Sequence, residues 1–350
     1  MAVEQRSPLN IVMVNFSSAL SFELFSHVLY GKGAMTFGEA GKAGARVHNL
    51  KDVEAILDVF QAHGHYEIDT SRTYSEGTSE EYLGKIGWQS RGLKMDTKLY
   101  PDTVYPGLQK PRADIVTHKP EIQLKALNTD KLEMWYLHGP DRTTPYEVTM
   151  KAVNDLYNEG QVNPSRIPTI EADDSCRFPV TSNDLGSATS LRVNIVWINR
   201  NVESELFPCM RKFGISFYEF NPLGGGFFTG RYSKSTDYVE EGTRFDPTKF
   251  QGQGYRKRYW NEPHFKALEI IRNASEKAGL TMAEVALRWV THHSLMKREF
   301  GDSILIGASS LNHIEQNLVD LEKGPLPDEV VKALDEAWLV VKPYSANYFH

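Results

Sequence analysis

Short apolar or alternating runs that end in polar or proline-containing turns recur along this chain, separated by stretches of helical period, as repeated β/α units require. Three runs, "HYEIDTSRTY", "GLKMDTKLYP" and "LEMWYLHGPDR", place Asp69, Lys98 and His138 at the C-terminal ends of strands. In "DVEAILDVFQAHG", Val53, Ile56, Leu57 and Phe60 fall on one helical face and Gly64 is a helix stop. Ser79 ahead of "EEYLGKIG" is placed to start a second helix, with Glu80 and Glu81 in the first turn, where carboxylates meet the positive end of the dipole. Thr281 and Glu284 have capping-box spacing before the apolar face of Ala286, Leu287 and Val290, and "DSILIG" reads as a late strand. No internal repeat, low-complexity tract or interdomain linker interrupts the series.

The C-terminal ends of parallel barrel strands share one rim, which is where barrel enzymes do their chemistry. Asp69, Lys98 and His138 would meet there, joined by Tyr74 from the turn after Asp69. A phenol with an ordinary pKa near ~10 exchanges protons poorly at neutral pH, and a neighbouring ammonium favours its ionised form. Lys98 can supply that ammonium, Asp69 can hold it charged and oriented, and His138 can hydrogen-bond a substrate oxygen beside the phenol. The set is apparatus for moving a proton onto a carbonyl oxygen. Taken singly, each residue has a plainer role: Tyr74 as a half-buried aromatic, Lys98 as a solvated strand end, Asp69 as a turn former, His138 as a core histidine.

Composition narrows the class. A chain of 350 residues, 41% of them hydrophobic, can bury one large core, and an α/β barrel commonly takes about 250 residues or more as a single domain. The net charge of -6 provides no basic footprint for nucleic acid or an anionic membrane. Cys176 and Cys209 are too few for a disulfide framework and lack metal-ligand spacing, so no metal is expected and the cytoplasm is the expected location. The N-terminal "IVMVNFSSALSFELFSHVLYG" is fairly apolar, but Asn15, Glu23 and His27 interrupt it and no small-residue cleavage site follows, so neither a signal nor a membrane anchor is expected.

No G-x-G-x-x-G joins a strand to a helix, which argues against a Rossmann-type nucleotide site. Instead, Gly224, Gly225 and Gly226 follow the apolar run "GISFYEFNPL", and Ser309 and Ser310 follow "SILIG". Barrels often hold phosphate on the loops after their last two strands, where backbone N–H groups and a helix N-terminus face the anion. A flexible loop and an ordinary helix start are the plainer readings. Trp88, Tyr259 and Trp260 are available to line an aromatic substrate pocket, although an aromatic more often packs in a core.

The segments "GAMTFGEAGKAGARVHNL", "IDTSRTYSEGTSEEYLG", "TKLYP", "WYLHGPDR", "ELFPCMRKFGISFYEFNPLGGGFFTGRY" and "IGASSLNHIEQNL" resemble the aldo-keto reductases, nearest the branch of aflatoxin aldehyde reductase and succinic semialdehyde reductase. The resemblance covers about residues 31–160 and 200–350. It implies one (β/α)8 TIM barrel over residues 30–350, with residues 1–29 as an N-terminal extension and the first strand around Leu29 to Phe37. It also implies that Asp69, Tyr74, Lys98 and His138 are catalytic, with Tyr74 giving the proton as a hydride passes from the nicotinamide of NADPH to a carbonyl carbon. Asn221, Pro222, Leu223, Gly224, Gly225, Gly226, Phe227, Phe228, Thr229, Gly230 and Arg231 would wrap the pyrophosphate of NADPH or NADP+, and Phe220 would stack on the nicotinamide. Arg244 would help hold the nucleotide, while Ser309, Ser310, His313, Gln316 and Asn317 would surround the adenosine phosphate. The implied substrate is a small carbonyl compound (aromatic, dicarbonyl or semialdehyde), with a place in secondary metabolism and a homodimer both compatible with the branch. The alternative is a catalytically weak nucleotide-binding relative that acts as a regulatory or partner subunit. A purely structural barrel is disfavoured by the complete catalytic set.

Two stretches depart from the family pattern. "THKPEIQLKALNTDKL" is shorter than the family's crossover, which predicts a shortened helix near 120–127 and an irregular barrel. Residues 161–200 lack a clear helical period and the family's Ser-Asn and Gln that fix the carboxamide; Ser182 and Asn183 lie in a context that does not match. This interval is therefore expected to be the least ordered part of the barrel and to limit activity. Like the long leader, it has the character of a retained intron or a wrong exon boundary, which transcript sequencing decides.

Overall fold

The computed structural model describes residues 7–14, 36–99 except 43, 121–137, isolated positions between 145 and 159, 190–193, and 199–345 except 205, 237, 242 and 308. Strand β1 (Asn10–Val14) leads to helix α1 (Leu50–Ala62), β2 (Glu67–Asp69), α2 (Thr78–Lys85), β3 (Lys94–Leu99), α3 (Glu121–Ala126), β4 (Met134–Leu137) and β5 (Ser190–Val193). The chain continues through α4 (Leu206–Phe213), β6 (Ser216–Phe220), α5 (Phe250–Tyr259), α6 (Glu262–Lys277), α7 (Met282–His292), β7 (Ser303–Ile306), α8 (Leu311–Glu322) and α9 (Asp328–Val341). All strand pairs are parallel, in the order β4-β3-β2-β1-β7-β6-β5. This is the curled sheet of a (β/α)8 barrel; among the described residues no strand joins the β4 and β5 edges. The described part of the crossover helix, α3, is six residues long.

The first strand is not where the resemblance put it. Asn10–Val14, inside the stretch expected to be an extension, pairs with β2 through Val12↔Glu67 and Val14↔Asp69 and with β7 through Ile11↔Ile304 and Met13↔Ile306. The run "NIVMV" suits this central place, because a parallel strand covered on both faces is apolar throughout. Phe37, at the end of the expected strand, makes an isolated bridge to Val47 instead. Within residues 161–200, Ser190–Val193 forms β5, in register with β6, while residues 161–189 and 194–198 lie outside the described residues.

Alternation sorts the side chains into two layers. Val12, Met134, Tyr218 and Leu305 cluster together with Phe220, while Ile11, Met13, Ile68, Trp135, Phe217 and Ile304 join the larger core beneath the helices. Helix α1 behaves as its period requires: Asn49 caps it by accepting from the Lys51 N–H, and Val53, Ile56, Leu57 and Phe60 are buried. Helix α2 starts one residue before Ser79, with Gly77 as its N-cap. Only half of the expected capping box forms at α7. Thr281 accepts from the Glu284 N–H at 3.1 Å, but the Glu284 carboxylate turns to Arg288 at 2.8 Å and Lys323 at 3.1 Å. Trp88, Tyr259 and Trp260 are packing residues: Trp88 donates to the Leu127 carbonyl at 2.9 Å, and the other two sit in an aromatic cluster around Phe245.

Candidate active site

The turn after β2 and the end of β3 bring three of the four expected catalytic residues together. The Lys98 ammonium donates to the Asp69 carboxylate, to the Thr70 carbonyl at 2.8 Å and to the Tyr74 hydroxyl at 2.8 Å. Asp69 is fully buried, and Tyr74 and Lys98 are nearly so. Three acceptors around one ammonium fix its direction, and a buried ammonium is tolerable because a carboxylate is among them. The β2–β3 pairing continues past Asp69 through the Thr70 N–H to the Asp96 carbonyl at 2.8 Å, which holds the two strand ends level. His138 follows β4 directly in sequence and lies outside the described residues.

Tyr74 opens a turn of unusual backbone. Ser75, Glu76 and Gly77 take φ values of 47°, 57° and 92°, left-handed at three successive positions, two of which are not glycine. Arg72 spans the turn: its guanidinium donates to the Gly77 carbonyl at 2.6 Å, to Glu80 at 3.5 Å and to Glu81 at 2.9 Å. A Cβ on Gly77 would lie 2.5 Å from that guanidinium, so this position requires glycine for space as well as conformation. Glu80 is fully buried and accepts from the Thr97 hydroxyl at 2.5 Å. Burial pushes its carboxyl up to about 7, against the opposing pull of Arg72, Thr97 and Lys98.

A cavity of about 410 Å³ opens on the same rim, bounded by the end of β7, the loop after β6 and the N-terminus of α8. Of the residues expected to hold nucleotide, Asn221, Pro222, Leu223, Gly225, Gly226, Thr229, Arg231, Arg244, Ser309, His313, Gln316 and Asn317 line it. Asn221, itself left-handed at φ 66°, shapes the loop by accepting from the Gly225 N–H at 2.7 Å. Ser309 bonds His313 at 2.8 Å, and Asn317 donates to the Gly307 carbonyl at 3.5 Å, so the α8 end of the cavity is built of polar side chains.

The remaining expected residues lie elsewhere. Phe227 and Phe228 have wholly buried, packed side chains, Phe227 stacking on Tyr259 at 5.4 Å and Phe228 meeting it edge-on at 5.9 Å. A buried ring has no surface left to offer a ligand. Gly224 lies against the Phe228 ring, and Gly230 lies beside Met282 and Arg272. Ser310 is the N-cap of α8, accepting from the His313 N–H. Phe220 packs on the cluster of Val12, Met134, Tyr218 and Leu305.

The expected set lacked Arg46, which lines the cavity with Arg231 and Arg244. Burial lowers its pKa first, and the like charges of Arg244 and Arg231 lower it further, so cationic charge is crowded on this wall. Arg46 is held by the Phe37–Val47 bridge and by the donation of its own N–H to the Thr36 carbonyl at 2.7 Å. No spacing or period links a residue before α1 to a cavity after β6; only its place within a matching segment marked it. Among the described residues there is no cluster of His, Cys, Asp and Glu able to hold a metal and no helix long and apolar enough to cross a membrane.

Comparison with known proteins agrees with this geometry. An aldo-keto reductase of Pseudocercospora fijiensis (strain CIRAD86) is 44% identical, covering 84% of this chain and 100% of its own length. Aflatoxin B1 aldehyde reductase member 2 of Homo sapiens is 36% identical over 84% of each chain. Among solved structures, a glycerol dehydrogenase from Gluconobacter oxydans superposes with a TM-score of 0.61, covering 86% of this chain and 88% of that one, and at 20% identity it speaks to the fold alone. The profile of the aldo/keto reductase family matches residues 31–339, a span holding β2 to β7, the Asp69–Lys98–Tyr74 cluster and the whole cavity wall, and the chain therefore belongs to that family.

Proposed function

We propose that this chain is an NADPH-dependent reductase of aldehydes or ketones, with Tyr74 giving the proton to the carbonyl oxygen. The observation that carries the reading is the buried Lys98 ammonium donating to the Tyr74 oxygen with Asp69 behind it, on the rim where the cavity opens. The cavity wall suits a phosphate-bearing ligand. Arg46, Arg231 and Arg244 offer cationic charge, and the α8 N-terminus offers the positive end of a dipole. When bound, NADPH supplies the hydride; the residues named here do the rest. Lys98 donates a hydrogen bond to the phenol oxygen, which stabilises charge on that oxygen as its proton leaves. Asp69 keeps Lys98 cationic in a site that excludes water, and His138 would orient the carbonyl.

That a relative is called an aldehyde reductase supports an aldehyde as the first substrate to assay. Tyr74→Phe should lower kcat by roughly 10²–10⁴-fold and leave NADPH affinity nearly intact, since the hydroxyl acts on the transition state. Unchanged turnover would remove Tyr74 from the role. A wild-type chain that binds NADPH but reduces no aldehyde or ketone would favour the nucleotide-binding partner subunit instead.

A further inference from the structure

The turn that carries Tyr74 is held by a second set of bonds besides the one from the ammonium. Ser75 and Glu76 occupy left-handed backbone that their side chains disfavour, and such a turn persists only where its surroundings over-determine it. The surroundings are specific. Arg72 reaches across the turn to the Gly77 carbonyl and both carboxylates of the α2 first turn. Glu80 accepts from Thr97, and Thr97 immediately precedes Lys98 on β3. The Thr78 hydroxyl closes the turn by donating to the Ser75 carbonyl at 2.7 Å. Phenol and ammonium are thus connected twice: directly, by the 2.8 Å bond, and through the ring Arg72, Glu80, Thr97.

We propose that Arg72, Glu80 and Thr97 form a brace that sets the placement of Tyr74 against Lys98, making them positioning residues for proton transfer. The proposal rests on the reductase reading for its kinetic consequence, but the brace itself is a statement about the turn. The brace draws on charge as well as shape. The groups acting on Glu80 are the Arg72 guanidinium from the turn after β2, and the Thr97 hydroxyl and Lys98 ammonium from β3; Glu81 on its own helix engages the other nitrogen of Arg72. Ionised Glu80 completes the pair with Arg72, whereas protonated Glu80 leaves Arg72 to Glu81 and to the Gly77 carbonyl.

The test uses the full chain and the variants Arg72→Ala, Thr97→Val, Thr97→Ser and Glu80→Gln, with carbonyl reduction, direct NADPH binding, and hydrogen–deuterium exchange over the turn as readouts. Arg72→Ala and Thr97→Val should lower kcat by about 10–100-fold, as a displacement of order 1 Å does, with NADPH affinity and KM changed by less than about threefold. Exchange should quicken in the peptides spanning Tyr74 to Glu80. Thr97→Ser, which keeps the hydroxyl, should restore rate and protection. In the wild type kcat should rise with pH through about 7 as Glu80 ionises. Thr97→Val, which removes a bond to the ionised form, should move that limb to higher pH, and Glu80→Gln should abolish it. Unchanged rate and exchange in Arg72→Ala and Thr97→Val overturns the proposal, as does a limb that survives in Glu80→Gln. Should Arg72→Ala fail to fold, the Thr97 pair of variants decides. A wild-type chain that reduces no carbonyl defeats the reductase reading, while the exchange comparison still decides the brace.

Discussion

Asp69→Asn removes one charge from the centre of the site while keeping the shape of the side chain. Lys98, 3% exposed, would then lose its carboxylate partner while keeping its bonds to the Thr70 carbonyl and the Tyr74 hydroxyl. Breaking a buried pair from one side costs about 3–5 kcal/mol, against a total of roughly 5–15 kcal/mol for a typical domain. Lys98→Met is the mirror experiment, removing the ammonium from beside the buried Asp69 carboxylate at similar cost. The double variant carries no stranded charge, so it should be more stable than either single variant, with a coupling energy on the order of 2 kcal/mol. Equilibrium unfolding in guanidinium chloride at pH 7 gives all four stabilities, provided the slopes agree. Turnover should be low in all three variants, so the double variant would combine recovered stability with lost activity. An Asp69→Asn loss below about 1 kcal/mol, together with additive single effects, would mean that both charges reach water and that the dry ion pair is wrong.

Gly226→Ala should lose about 1–2 kcal/mol, because its φ of 97° is left-handed but a Cβ meets nothing within 4 Å. Gly225→Ala should lose a further ~1–3 kcal/mol, since its Cβ would lie 2.3 Å from the Tyr255 ring; equal losses in thermal denaturation would dispose of the steric argument. Glu219 is wholly buried on β6, and burial holds its carboxyl well above the ordinary range, so the stability it contributes is whole below its unfolded pKa near ~4.3 and is lost as pH rises through the folded value. Glu219→Gln, neutral at every pH, should therefore gain Tm relative to wild type as pH rises and gain nothing in acid; parallel Tm curves would contradict this. Arg46→Ala should weaken NADPH binding by roughly tenfold or more, the worth of a charge-assisted contact. A matching loss for NADH would assign Arg46 to the pyrophosphate, a smaller one to the additional phosphate, and no loss in either would exclude it from nucleotide binding.

The cluster of Asp69, Tyr74 and Lys98 was legible because its strands announce their ends: an apolar run, a polar residue, then a turn, as at Asp69 and Lys98. The position of β1 was not. A five-residue strand continuing into further apolar sequence has no local boundary, and the expected first strand, ending at Phe37, lies downstream of it. Glu80 was legible as a helix-start carboxylate but not as a buried one, because the Thr97 hydroxyl that receives it belongs to another strand. The burial of the Phe227 and Phe228 rings was not legible either: their place is a glycine-rich loop, while the rings that enclose them come from α5, α6 and the segment before α5. Arg46 needed the closed fold, since its cavity partners Arg231 and Arg244 are distant in sequence.

The pairing of β1 with β7 has a consequence for synthesis. Ile11 and Ile304 are register partners, and the Asn10 side chain donates to the Asp302 carbonyl at 3.4 Å. At about 5–20 residues per second, the ribosome delivers the second partner roughly 15–60 s after the first. Throughout that wait one edge of β1 has no native neighbour, and an apolar strand with an open edge is the kind of surface on which nascent chains associate wrongly. The last strand therefore acts as a timer as well as a wall: slowing translation prolongs the exposure, and any chain released before Ser303 keeps it permanently. The yield of folded protein should follow chaperone supply and elongation rate more closely than the equilibrium stability of the finished barrel.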